Sequence, residues 1–159
     1  MLIARDAEIA DAPMILSFIQ ALAAYEHAAH EVTAGIEDIK ARLFGPDATV
    51  TALMFEHDGQ TVGFAVYFHN FSTWLGRHGL FLEDLYIAPA HRRQGYGRAA
   101  MRRLAERAVA LGCARFEWNV LDWNTPAIDL YEAIGATAQS EWIGYRLEGE
   151  ALRRFVAAG

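Results

Sequence analysis

The stretch from Arg92 to Arg98 reads RRQGYGR, with Gly95 and Gly97 one residue apart and two arginines in front. These are residue types that hold phosphate. Where such a loop opens a helix, successive backbone N–H groups converge on one place and the helix dipole adds to them. The glycines let a pyrophosphate approach the main chain, and Arg92, Arg93 and Arg98 can add charge around it. Just upstream, Glu83 and Asp84 interrupt the otherwise apolar run GLFLEDLYI. Neighbours on a regular strand face opposite sides, so one of the two carboxylates can point toward the core, where it needs a partner or a task.

Charge is distributed in the same sense. Residues 1–91 hold twelve acids and four bases, a net of −8, whereas residues 92–107 hold six arginines and one acid, Glu106. An acidic chain with one basic segment is a poor nucleic-acid binder and reads better as two subsites, one for a polyanion and one for a cation. The alternative on charge alone is a solvated arginine face of a helix.

The elements that must position these residues follow from the hydrophobic pattern. Residues 2–5 read as a first strand, and 11–28 as a helix with Asp11 as cap and Pro13 in its first turn. A second helix covers GIEDIKARLFG, and residues 49–71 form a hairpin turning at Asp58-Gly59. GLFLEDLYI is the next strand, residues 95–111 a helix, ARFEWNV a strand, and NTPAIDLYEAIG a helix with Thr125 as cap and Gly135 past its end. EWIGYRL reads as a last strand, followed by a short tail. The chain is one mixed α/β (α+β) domain over 1–159, with a meander followed by a β-α-β crossover.

Gly95, Gly97 and Ala100 also fit the dinucleotide-binding pattern G-x-G-x-x-A, with Glu117 twenty residues beyond Gly97. The context argues against it. Seven residues separate Ile87 from Gly95, the preceding strand carries two acids, and about sixty residues follow, too few for a dinucleotide fold. A purely structural reading, glycines for close helix–strand packing, stays open on the loop alone.

Taken together, LEDLYIAPAHRRQGYGRAA and the residues after it resemble the GNAT N-acetyltransferases, whose Q/R-x-x-G-x-G/A loop matches Arg92 to Gly97. LEDLYI, WNTPAIDLYEAIGA and ALAAYEH are similar to the diamine branch, the spermidine/spermine and thialysine acetyltransferases. The resemblance covers about residues 2–147. It implies a GNAT fold, a twisted mixed sheet of about six to seven strands flanked by about four helices, with acetyl-CoA as co-substrate. It implies the pyrophosphate on Arg92, Arg93, Gln94, Gly95, Tyr96, Gly97 and Arg98. The pantetheine arm would pair with Leu85, Tyr86 and Ile87, with Asn124 and Ala127 also at the cofactor. Tyr131, four residues from Ala127 on one helix face, is implied as general acid for the departing thiolate. Apart from the family, Asn124 reads as a capping residue and Tyr131 as a core tyrosine.

For the amine, the resemblance implies Tyr25, Glu26, Trp74 and Asp84 as substrate residues and Glu83 as base. An alkyl amine with pKa near ~10.4 is protonated at neutral pH, and freeing its lone pair costs roughly 4–5 kcal/mol. A carboxylate near ~4.3 is a poor base unless burial or like charge raises it, so Glu83 is expected to act through water or with a raised pKa. The branch's Asp-Pro before its tryptophan is Ser72-Thr73 here, which removes an anion and leaves short diamines or lysine-like amino acids as the open substrates. The in-class alternative is a protein N-terminus, a protein lysine or an aminoglycoside; the out-of-class one is a non-catalytic acyl-CoA sensor.

His27 and His30 stand at i, i+3, but no Cys or carboxylate set completes a metal site, and no metal is expected. Cys113 reads as packing. With no G-x-S-x-G or Cys-His signature, direct transfer in a ternary complex is preferred to a covalent acyl-enzyme. One cysteine, no apolar run near ~20 residues and no visible secretory signal favour a cytoplasmic protein without nucleic acid or membrane partners. A homodimer is implied by the family alone.

Overall fold

The computed structural model describes residues 1–158. Two compact units divide the chain after Thr125. The first contains β1 (Ile3–Asp6), α1 (Ala12–Tyr25), α2 (Ile36–Phe44), β2 (Val50–His57), β3 (Gln60–Ser72), β4 (Arg77–Ile87), α3 (Tyr96–Ala110) and β5 (Phe116–Trp118). The five strands form one sheet in chain order, antiparallel except for the parallel β4–β5 pair. The meander and the β4-α3-β5 crossover expected from the sequence are both present.

Sheet alternation sorts the core. Ala52, Met54, Phe64, Val66 and Tyr86 share a face and pack with Ala12, Ile15 and Phe18 of α1 and Ile39 of α2. Phe18 holds the centre, its ring 5.7 Å from Phe64 and 5.5 Å from Tyr86. Leu53, Phe55, Ala65 and Tyr67, on the opposite face, are buried too, and α3 lies against β4 with Ala100, Met101, Leu104 and Ala108 inward. Each of the larger side chains contributes about 1.5–3 kcal/mol by burial.

Local chemistry explains most boundaries. The hairpin turn puts Asp58 and Gly59 both at positive φ, as a two-residue turn matched to strand twist requires. Asp11 stands before α1, yet its carboxylate does not cap that helix. It accepts two bonds from Arg5, at 2.7 and 2.9 Å, and one from the Glu8 N–H at 2.8 Å. Arg5 Nε also donates to Glu56 at 2.6 Å, so one guanidinium joins β1, β2 and the approach to α1.

The second unit contains α4 (Thr125–Ala133), whose first residue lies at the division, and α5 (Gly149–Ala157). Gly135, at φ +89°, ends α4 as expected, with the Ala136 N–H donating back to the Tyr131 carbonyl at 3.0 Å. The C-terminal expectation is corrected. EWIGYRL takes no strand pairing among the described residues, and the anticipated tail is largely the helix α5. Among the described residues the sheet therefore has five strands where about six to seven were expected, and five α-helices where about four were. An alternating apolar pattern permits extension, but only a hydrogen-bonded neighbour makes a strand. Among the described residues no helix is long and apolar enough to cross a membrane.

Candidate active site

The register of β3 against β4 changes in the middle of the pair. Val66 opposes Asp84 and Tyr67 opposes Leu82, so Glu83 is an extra residue on β4, a β-bulge. Leu82 and Asp84, two apart, would share a face on a regular strand. The bulge sends Leu82 to the face of Tyr67 and Asp84 to the face of Phe64, Val66 and Tyr86, where α1 packs.

Asp84 is half-buried there, and Glu83 is exposed on the bulge. Burial pushes the Asp84 carboxyl up to about 6, helped by the negative charges of Glu83 and then Glu26. Glu26, just past the end of α1, is itself raised by burial. Of the three acids singled out from the sequence, Asp84 thus feels the charge of the other two. The strongly raised carboxyl is that of Asp84, whereas the base expected from the sequence was Glu83.

The bulge is also where the sheet opens. β5 pairs with Leu80 to Leu82, and among the described residues no strand pairs with β4 on that side from Glu83 to Ile87. The Ala88 N–H donates to Val62 on the β3 side, so the Ile87 carbonyl, in the same trans peptide, points to the open side. By ladder alternation Leu85 also turns its N–H and C=O outward. An extended chain bearing amides could lie here as an added strand.

At the end of this edge the chain enters the glycine loop. Arg93 and Gly95 both adopt positive φ, +61° and +79°, a turn that brings successive N–H groups toward one concavity. Gly95 is the N-cap of α3, and no side chain caps that helix end. A Cβ on Gly95 would meet nothing within 4 Å, so the glycine is needed for its backbone conformation and not for space. Arg93, Gln94 and Arg98 are exposed around the turn, with Gln94 Nε2 donating to the Ala90 carbonyl at 3.3 Å. Tyr96 packs its ring 5.1 Å from His57 and 6.5 Å from His91. A loop of this form suits an anion such as pyrophosphate.

Arg92 behaves differently from its neighbours. Its Nε donates to the outward Ile87 carbonyl at 2.9 Å, and its guanidinium lies 4.8 Å from the Tyr25 ring and 5.5 Å from the Tyr86 ring. Tyr25 donates its hydroxyl to Asn124 Oδ1 at 3.1 Å and packs against Trp123 at 5.9 Å. Tyr25, Tyr86, Arg92 and Asn124 were each expected at the site, but their mutual contacts and the part played by Trp123 had no signal in the sequence. The residues meet across 99 positions of chain in the Tyr25–Asn124 bond alone.

Trp74 is not brought to the acids. It sits 87% exposed at the tip of the β3–β4 hairpin, and the seven residue steps from Arg77 to Asp84 put it roughly 20 Å away along β4. Ala127 and Tyr131 lie four apart on α4, in the second unit. Among the described residues no three His, Cys, Asp or Glu side chains gather as a metal site.

A mixed sheet that opens at a bulge, next to a phosphate-type loop at a helix N-terminus, is the arrangement in which the resemblance to the GNAT N-acetyltransferases was expected to appear. An integron cassette protein from the mobile metagenome of V. cholerae has the same fold, with a TM-score of 0.81 at 22% identity over 98% of this chain and 97% of that one. The acetyltransferase (GNAT) family description matches residues 15–136, and the chain belongs to that family. Thialysine N-epsilon-acetyltransferase of Mus musculus is 36% identical over 160 residues, 94% of each chain. L-ornithine N5-acetyltransferase of Arabidopsis thaliana is 37% identical over 124 residues, 78% of this chain and 51% of that one. The similarity places this acetyltransferase with the diamine branch.

Proposed function

We propose that this enzyme transfers acetyl from acetyl-CoA to a primary amine of a small cationic molecule, a lysine-like or ornithine-like amino acid or a short diamine. The whole of 1–159 acts as one acetyltransferase domain. The observation that carries the reading is one strand edge with two electrically opposite ends. The open edge of β4 starts at the Glu26, Glu83 and Asp84 acids and ends at the arginine-rich turn around Gly95. A polyanionic carrier fits the turn, its amide-bearing arm fits Leu85 to Ile87, and a protonated amine fits the acids.

Proton movement follows from the same arrangement. The ammonium must lose a proton before its nitrogen can attack the acetyl carbonyl. The Asp84 carboxyl is the better acceptor, because its rise from 3.8 to about 6 removes about 3 kcal/mol of the uphill transfer. Glu83 and Glu26 raise it and attract the substrate; Glu83 can also relay the proton through water. The C–N bond forms, the C–S bond breaks, and the resemblance gives Tyr131 the role of protonating the departing thiolate. Relatives that act on thialysine and on ornithine support an amino-acid-like substrate. The distance of Trp74 from the acids within one chain speaks against long polyamines held by these groups together. A homodimer accords with the family.

A thiol-release assay with acetyl-CoA and an amine panel tests the reading. Thialysine, lysine, ornithine and short diamines should release CoA thiol faster than spermidine, aminoglycosides or peptide amines. A protein that binds CoA but releases no thiol with any amine would be a sensor, and preference for peptide amines would move the substrate to protein.

A further inference from the structure

We propose that Arg92 is a positioning residue that ends the open edge of β4 and fastens it to Tyr25, so that the carrier and amine sites keep one fixed spacing. The inference rests on the proposed function but gives Arg92 a part other than that of a phosphate ligand.

Three groups of contacts carry it. First, the Ile87 carbonyl is turned to the open side by the peptide it shares with the Ala88 N–H, and Arg92 Nε occupies that acceptor at 2.9 Å. The edge offered to an added chain therefore stops with the Ile87 N–H. A carrier that bonds beyond that point would have to displace the guanidinium. Second, the guanidinium is stacked near both Tyr25 and Tyr86, at 4.8 and 5.5 Å. Tyr86 belongs to the core face, held by Phe18, so the stack is anchored on its inner side. Third, Tyr25 is held from the other side by Asn124 at 3.1 Å and Trp123 at 5.9 Å. The residue after Tyr25 is Glu26, whose charge reaches Asp84. Moving Arg92 thus moves the last peptide of the carrier edge and the end of α1 together.

The geometry suits arginine specifically. A planar guanidinium can stack by its faces while Nε donates in its plane, whereas a lysine ammonium supplies a point charge with neither property. A phosphate ligand would have the opposite tolerance, because lysine serves well as a point charge for phosphate.

The test compares ligands with and without phosphates. CoA and pantetheine binding are measured by calorimetric titration and competition in wild type, Arg92→Lys, Arg92→Gln and Tyr25→Leu. The kinetic constants KM and kcat are measured separately with acetyl-CoA, acetyl-pantetheine and the best amine. Both Arg92 variants should lose about ten-fold in affinity for pantetheine as well as for CoA, a loss typical of removing a stacked, hydrogen-bonded cation. The amine KM should rise in all three variants, and the Arg92→Gln, Tyr25→Leu double variant should be no worse than the weaker single. An Arg92→Lys protein close to wild type, or an Arg92→Gln protein that loses CoA affinity but keeps pantetheine affinity, overturns the proposal in favour of phosphate contact. If thermal melting shows that Arg92→Gln does not fold, Arg92→Lys and Tyr25→Leu decide. Wild type that binds CoA without turnover fails the proposed function, while the pantetheine comparison still judges Arg92.

Discussion

Asp84 combines a burial cost with the chemical use proposed for it, and the two can be separated by pH. Its carboxyl titrates near 3.8 when unfolded and at about 6 in the folded chain. Between those values the native state holds more protons than the unfolded state, so this group's contribution to stability falls as pH rises from about 4 to about 6 and stays low above. Asp84→Asn should therefore raise stability at pH 7 by about 1–3 kcal/mol, seen as a higher Tm, and the gain should vanish below about pH 4. The same variant should lose about 10²–10⁴-fold in kcat/KM if its carboxylate takes the proton. In wild type, kcat/KM should climb with pH through about 6. Glu83→Gln should move that limb to lower pH, since a neighbouring negative charge is one cause of the rise. A limb that survives in Asp84→Asn would assign it to another group. The sequence exposed the Glu83-Asp84 pair as anomalous in an apolar strand, but could not say which of the two was drawn inward. That depended on a one-residue irregularity of pairing.

At the scale of elements, the bulge on β4 does two jobs with one inserted residue. It puts Asp84 on the α1 face, and it coincides with the end of the β4–β5 ladder at Leu82 and Trp118. Deleting Glu83 should restore regular pairing, let β5 continue alongside β4 and close the edge. We expect the deleted protein to keep its circular dichroism and its Tm while losing CoA binding by titration. Retained CoA binding would show that the opening does not depend on the bulge. Most elements were legible because their signals are local: Asp58-Gly59 for the hairpin, Pro13 in the first turn of α1 and Gly135 after α4. The expected strand over ARFEWNV shrank to three residues and EWIGYRL did not become one, because pairing depends on what lies alongside. The Asp11 expectation failed for a similar reason. Arg5 outcompetes the helix end for its carboxylate.

Across the whole molecule, the net charge of −6 conceals a division between an acidic first part and the arginines of α3 and its loop. In the proposed function both substrates are charged, and each would be attracted by its own end of the site. Raising ionic strength should therefore raise KM for acetyl-CoA and for the amine together, with kcat changing little, because salt screens approach over about 8–10 Å and leaves buried contacts less affected. A rise confined to acetyl-CoA would mean that the acids do not steer the amine. Not all the arginines contribute to that field. Arg107 pairs with Asp6 at 2.6 Å and Arg103 with Glu106 at 2.9 Å, leaving Arg92, Arg93 and Arg98 as exposed charges at the turn, with the Arg92 guanidinium over Tyr25 and Tyr86. The solvated-face reading of the arginines thus fits part of the helix, while the anion-site reading of its beginning goes with the proposed function.

The sequence alone determined the class of fold, the phosphate-type loop and the acids worth watching. Each of these is written in neighbouring residues: glycine spacing, hydrophobic period, and charges where an apolar strand should have none. It also determined the family, because the loop, the strand before it and the helix after it stand in a fixed order. Tertiary structure decided which carboxylate is raised, where the sheet opens, and that Arg92 turns to Ile87, Tyr25 and Tyr86. These depend on strand register and on side chains far apart in the chain, and no local pattern encodes a distance between them.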